Sequence, residues 1–469
     1  MTQAQLRTGY LEHEHTPVAH ELHTAHLAVK GEVPRDLAGL YVRNSPNPQF
    51  APIGKYHWFD GDGMVHGLRF SDGTATYMNR WIRTRGFEAE RAAEKALYTG
   101  ILEPVRAEAM GLPGGPIKDT ANTDLVFHQG RLYALWWLSG TPMELSPTDL
   151  STLGPQKFGG KLKGGGFSAH PKVDPRTGEL VFFDYSMIRT PHLRYGLVSK
   201  GGELVRYEAI EIPTPHVLHD MAITENYSIL LDFPMGWDPE RLAVGKMKIA
   251  FDRETPSRFG ILPRHGVAAD VRWFEAEPCY MYHTINAYED GHEIVLVGCR
   301  VKDPIPLKQD TSGKVARLDT IELVPRLYEW RFDLATGKTK ERELDDLATE
   351  FPRINDTIQG KKARFSYNPR VAKDAALKFD ALVKYDLDSG ARVVWEPPAH
   401  WLVGEASFAP APSPDAEDHG WLVTFGTSRV EDASACFVLD ARDMREVARI
   451  ALPQRIPLGF HSYWCSAAS

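Results

Sequence analysis

The sequence predicts an all-β chain folded as a β-propeller, and three observations carry that prediction. Strand-length runs of apolar, β-branched and aromatic residues recur along all 469 residues. One turn signature repeats between them, and its last two copies start 53 residues apart, about the length of a four-stranded blade. Helical periodicity is scarce.

The runs are RLYALWW (131–137), ELVFFDY (179–185), YSILLDF (227–233), EIVLVGCRV (293–301), RLYEWRF (326–332), ALVKYDL (381–387), GWLVTFG (420–426) and ACFVLD (435–440). Many alternate with period two, the pattern of half-buried strands. The turns read VDPRTGE (173–179), FDLATGK (332–338) and YDLDSGA (385–391). In each, an Asp bonds its own backbone and a Gly supplies the positive φ before the next strand. A β-sandwich would not repeat at this period, so the propeller is preferred. The clearest helical stretch is FEAERAAEKALY (87–98). Segments near 86–120, 234–265, 303–324 and 353–377 fit no strand rhythm and are expected as a cap on one face of a single domain, 1–469. Loops this long in a compact fold are usually functional.

Composition excludes several classes. The net charge is −8 with both signs scattered, which disfavours a nucleic-acid partner. The four cysteines (Cys279, Cys299, Cys436, Cys465) form no CxxC pair and read as buried free thiols. MTQAQLRTGYLEHEHTPVAH has no apolar signal-peptide core, and no uncharged apolar stretch reaches about 18 residues. The expectation is a soluble, cytoplasmic protein. Contact with a membrane surface and the oligomeric state stay open. No Walker A sequence or strand-linked GxGxxG occurs. DGDG (60–63) fails the EF-hand pattern and reads as a tight turn.

Among 18 histidines, four stand at strand ends: His170 in GGGFSAHPKVDP, His219 in PTPHVLHDMAI, His283 in CYMYHTINAYED and His461 in PLGFHSYW. Their separations of 49, 64 and 178 residues begin near one blade length. Equivalent positions on innermost strands point toward a propeller axis, where imidazoles from distant segments can share an ion of iron, copper, zinc or nickel. On spacing alone His216 is an equal candidate, and a satisfied structural histidine is the commoner role for any one of them.

The chain resembles the carotenoid cleavage oxygenase family over nearly its whole length. The likeness is carried by GLYVRNSPNP, WFDGDGMVHG, DTANTDLVFHQGRLYAL, FSAHPKVDPRTGELVFF, HDMAITENYSILLD, YHTINAYEDG, EFPRIN and GFHSYW. The resemblance implies a seven-bladed β-propeller capped by loops and short helices, with His170, His219, His283 and His461 as ligands of one iron(II), Fe(II), and His216 set aside. It implies Glu350 and Glu405 as carboxylates that bond the outer nitrogens of ligand histidines. Where the family carries a third such Glu, this chain has Trp137. The implied reaction is cleavage of a C=C bond by dioxygen to carbonyl products, with no NAD(P), flavin or 2-oxoacid. The implied substrate is a small, apolar, conjugated molecule: a phenolic stilbene or phenylpropenoid, slightly favoured, or an apocarotenoid. Lys118 resembles the family's phenol-binding lysine, with Tyr98 its candidate companion and Phe59 an aromatic wall. The alternatives are a polyene isomerase of the same family and a propeller hydrolase or lactonase using another metal. A propeller scaffold with structural histidines is the non-enzymatic alternative.

Overall fold

The computed structural model describes residues 9–466 apart from 102, 105, 163–165, 238–248, 305–322 and 375. Its local organisation begins with the repeated turn. Asp174 accepts the backbone N–H groups of Arg176 and Thr177, Asp333 those of Ala335 and Thr336, and Asp386 those of Asp388 and Ser389. The Gly that follows is left-handed in each, with φ of 73°, 75° and 73° at Gly178, Gly337 and Gly390, a region closed to most side chains. A fourth copy stands at Asp440, which accepts Arg442 N–H while Met444 holds φ 63°. Met in the glycine position hides that copy from the sequence.

These turns link antiparallel meanders. The described residues form five separate sheets of four or five strands, and one nine-stranded sheet in which two consecutive meanders join. The result is a seven-bladed propeller. Blade one combines Gly39–Pro46, Gly63–Ser71 and Thr74–Trp81 with the C-terminal strand Ser462–Ser466. Blades two to seven follow in chain order over 124–155, 172–210, 221–276, 280–345, 365–395 and 407–451. Strands such as Leu180–Tyr185 and Gly420–Ser428 are buried at every position, because each blade packs its faces on its neighbours. Innermost strands lie side by side: Lys172–Val173 and Tyr280–Asp290 both contact Met221–Ile223, while Ser407–Pro410 and Asp124–His128 both contact Ser462–Ser466.

The expected cap segments are more ordered than their sequence rhythm suggests. Segment 86–120 carries a helix, Arg85–Ala93, capped by Thr84 through Phe87 N–H, and a 3-10 turn, Ala107–Gly111. The helix stops at Glu94, at φ 52°, short of the expected 98, because the Glu90 carboxylate takes the N–H groups of Leu97 and Tyr98. Segment 234–265 holds a ribbon of Met235–Trp237 with Ile249–Phe251, then Ser257–Pro263, a strand of blade four. Segment 353–377 contains Phe365–Val371, an edge strand of its sheet where Pro369 is tolerated. Most of 303–324 lies outside the described residues, as does 238–248. All four cysteines are free and buried. No helix among the described residues is long and apolar enough to cross a membrane.

Candidate metal centre

The fold delivers one polar residue to the inner edge of every blade. His461 immediately precedes the inner strand of blade one, Asp124 opens that of blade two, and His170 stands just ahead of that of blade three. His219 precedes the inner strand of blade four and His283 lies within that of blade five. Glu350 joins the edge of blade six through its N–H to Pro369 O, and Glu405 precedes the inner strand of blade seven.

The four histidines predicted as ligands converge. Their ligand atoms all lie within 4.8 Å of one another, and all four residues are buried. Ring centroids are 4.4 Å apart for His170 and His461, 4.6 Å for His283 and His461, and 5.0 Å for His219 and His283. His216 is elsewhere, its ring bonded to Asp232 at 2.6 Å and to Thr214.

Carboxylates hold the rings from behind. His283 Nδ1 donates to Glu350 at 2.6 Å, and His461 Nδ1 to Glu405 at 3.0 Å. The third carboxylate is Asp124, which the sequence reading missed. Its Oδ2 lies 3.3 Å from His170 Nδ1 and accepts the His170 backbone N–H at 3.0 Å. That second bond matters because His170 sits at φ 63°, a strained conformation for a non-glycine residue. Trp137, where the resemblance implies a Glu, packs 5.1 Å from the Phe59 ring with its indole N–H buried and unpartnered. It offers no acceptor, and the His219 ring has no hydrogen bond among the described residues. Asp220 is a further residue the sequence reading passed over. It accepts the backbone N–H and hydroxyl of Thr284 at 2.7 and 2.8 Å and pairs with Lys172 at 2.7 Å. The strand ends carrying His170, His219 and His283 are thereby tied together.

This chemistry fits a cation. His283, which donates from Nδ1, keeps a lone pair on Nε2, and the Nε2 atoms of both His170 and His283 are buried with no partner. Each such orphaned group costs about 1–3 kcal/mol. Burial, reinforced by the neighbouring imidazoles, holds His170 and His219 well below the ordinary histidine pKa, in the neutral form that ligates. A four-imidazole set without thiolate suits a mid-row transition metal and not a structural zinc.

Two expected results follow from these contacts. Glu350→Gln keeps the shape but removes the charge behind His283, and should weaken metal retention about tenfold to a hundredfold with the fold intact. Asp124→Asn should speed metal loss to a chelator by about tenfold, if His170 depends on that carboxylate. Metal release at the wild-type rate would show that it does not.

The candidate substrate residues divide between two cavities. Phe59 lines the cavity over the histidines, along with Trp58, Trp137, Tyr282, Phe351 and Phe460. Tyr98 and Lys118 line an adjoining cavity, which Phe59 also borders. The Tyr98 hydroxyl donates to Pro113 O at 2.7 Å, and the Lys118 ammonium is ion-paired with both Asp62 and Glu90. The DGDG turn is structural in the same region: Asp60 accepts the N–H groups of His57 and Ile101, and Asp62 that of Gln49.

Fold and site together define a β-propeller with a central four-histidine metal centre, and comparison with known proteins gives that class a family. The profile described as "Retinal pigment epithelial membrane protein" matches residues 15–466, and the chain belongs to this family, that of the carotenoid cleavage oxygenases. It is 36% identical to a carotenoid 9,10(9',10')-cleavage dioxygenase 1 of Pisum sativum, over 93% of this chain and 86% of that one. Its structure is similar to that of the Pseudomonas brassicacearum lignostilbene dioxygenase, with TM-score 0.88, 28% identity, and coverage of 98% and 99%. It is also similar to a cobalt-substituted Synechocystis apocarotenoid oxygenase, with TM-score 0.85, 26% identity, and coverage of 96% and 97%.

Proposed function

We propose that this protein is a non-haem iron(II) dioxygenase that cleaves a C=C bond of a small, apolar, conjugated substrate to two carbonyl products. The observation that carries the reading is the convergence of His170, His219, His283 and His461 below an aromatic cavity. Iron bound there would supply a site where dioxygen meets an electron-rich alkene. The chain's own residues do the rest. Glu350, Glu405 and Asp124 orient three of the imidazoles. Trp58, Phe59, Trp137, Phe351 and Phe460 present flat apolar faces that bind a conjugated molecule and keep water from it. Holding one double bond over the centre is the main catalytic task.

The test is an assay of iron-loaded protein with a stilbene, a phenylpropenoid and an apocarotenal under labelled dioxygen. Label in both carbonyl products supports the proposal. Products of unchanged mass with no gas consumed would indicate an isomerase instead. A preparation that holds calcium and hydrolyses esters would favour the hydrolase reading.

A further inference from the structure

We infer that His57 is a specificity-determining residue of the metal-centre cavity, presenting a neutral Nε2–H donor to an uncharged acceptor oxygen on the substrate. The inference rests on the alkene-cleaving reading and adds to it how the substrate's polar end is recognised.

The tautomer follows from the backbone. His57 caps the 3-10 turn Trp58–Asp60, and its Nδ1 accepts the Phe59 N–H at 3.1 Å. A neutral imidazole that accepts at one nitrogen carries its proton on the other, so Nε2 is the donor. The residue is only 3% exposed and lines the cavity over the histidines. Its Nε2 has no hydrogen-bond partner among the described residues, and the ring is otherwise met by aromatic groups, Phe59 edge-on at 4.6 Å and Tyr10 at 6.0 Å. Burial pushes its pKa down to about 3, so the group donates without carrying charge.

The surroundings select the ligand. None of the cavity's described lining residues is Lys or Arg, and Lys118, in the adjoining cavity, is taken up by Asp62 and Glu90. A phenolate would find no Lys or Arg beside His57 among the described lining residues, whereas a carbonyl oxygen finds a donor. Two other polar side chains of the lining are engaged, Glu350 with His283 and Thr123 with Asn122 and the Trp137 backbone, while the Trp137 indole N–H is buried and unpartnered. Ring contacts run from His57 through Phe59 to Phe460, the residue before His461. A conjugated molecule lying along these rings brings its polar end to His57 while a double bond reaches the histidines.

The test compares His57→Asn with His57→Gln. Asn is a good cap whose oxygen can accept the Phe59 N–H, but it is too short to place a donor where Nε2 stands. Gln can carry a donor there. Binding is measured by tryptophan quenching with the iron-loaded chain under nitrogen, using a polyene aldehyde and the hydrocarbon of equal length. In His57→Asn, Kd for the aldehyde should rise about tenfold, the size of one buried hydrogen bond. The hydrocarbon's should stay level, and His57→Gln should recover part of the loss. Equal weakening of both ligands, or an unchanged aldehyde Kd, would overturn the inference. Admitting dioxygen to the same samples tests cleavage separately: wild type that binds both ligands and cleaves neither strikes the alkene-cleaving reading alone.

Discussion

Replacing His219 with alanine should leave a folded protein that no longer retains iron. The loss of activity should exceed about a hundredfold, beyond the tenfold to hundredfold typical of changes one shell out from a metal. His219 is the informative choice because its ring has no hydrogen bond among the described residues. Only ring contacts, to Tyr282 at 5.1 Å and to the other histidines, would be lost from the apoprotein. Truncating His283 or His461 would take from a buried carboxylate, Glu350 or Glu405, its imidazole partner, which confuses metal loss with unfolding. Circular dichroism and metal analysis on the same sample separate the two effects. Full iron content in His219→Ala would mean that the histidines are structural.

The second large effect is expected at Lys118. Lys118→Met leaves Asp62 and Glu90 buried without their cation, and removing one partner from such a group costs about 3–5 kcal/mol. Equilibrium urea unfolding should show the loss, and Lys118→Met combined with Glu90→Gln should recover part of it by removing one orphaned charge. Unchanged stability, with selective loss of turnover on a phenolic stilbene, would instead place the Lys118 charge in substrate binding. That is the role its resemblance to the family's lysine implies. The structure sets a different demand on the same side chain: Glu90 also holds the N–H groups of Leu97 and Tyr98, so the ammonium anchors the start of the cap segment.

Much of the fold was legible because the recurring turn is local chemistry. An Asp and a Gly four residues apart suffice to announce it, and the copy at Asp440 was lost only because Met444 adopts the left-handed conformation without being glycine. Strands such as Phe365–Val371 were lost because Pro369 reads as a breaker unless its place on a sheet edge is known. The metal centre was less legible. Spacing could not choose between His216 and His219, since what separates them is that the His216 ring is held by Asp232, 16 residues away, while the His219 ring meets no acceptor among the described residues. The resemblance made the choice that spacing left open. Asp124 was harder still, because its partnership with His170 crosses from one blade to the next over 46 residues. Trp137, where the resemblance implies a Glu, lies just past the strand Arg131–Leu135 of blade two, while Asp124, the carboxylate that meets His170, opens the inner strand of the same blade.

Whether four imidazoles share one ferrous ion is decided by anomalous scattering at the iron edge from crystals of the iron-loaded protein. A single peak is expected within bonding distance of Nε2 of His170, His219, His283 and His461. A peak elsewhere, or one that leaves any of these four rings outside the coordination sphere, would contradict it.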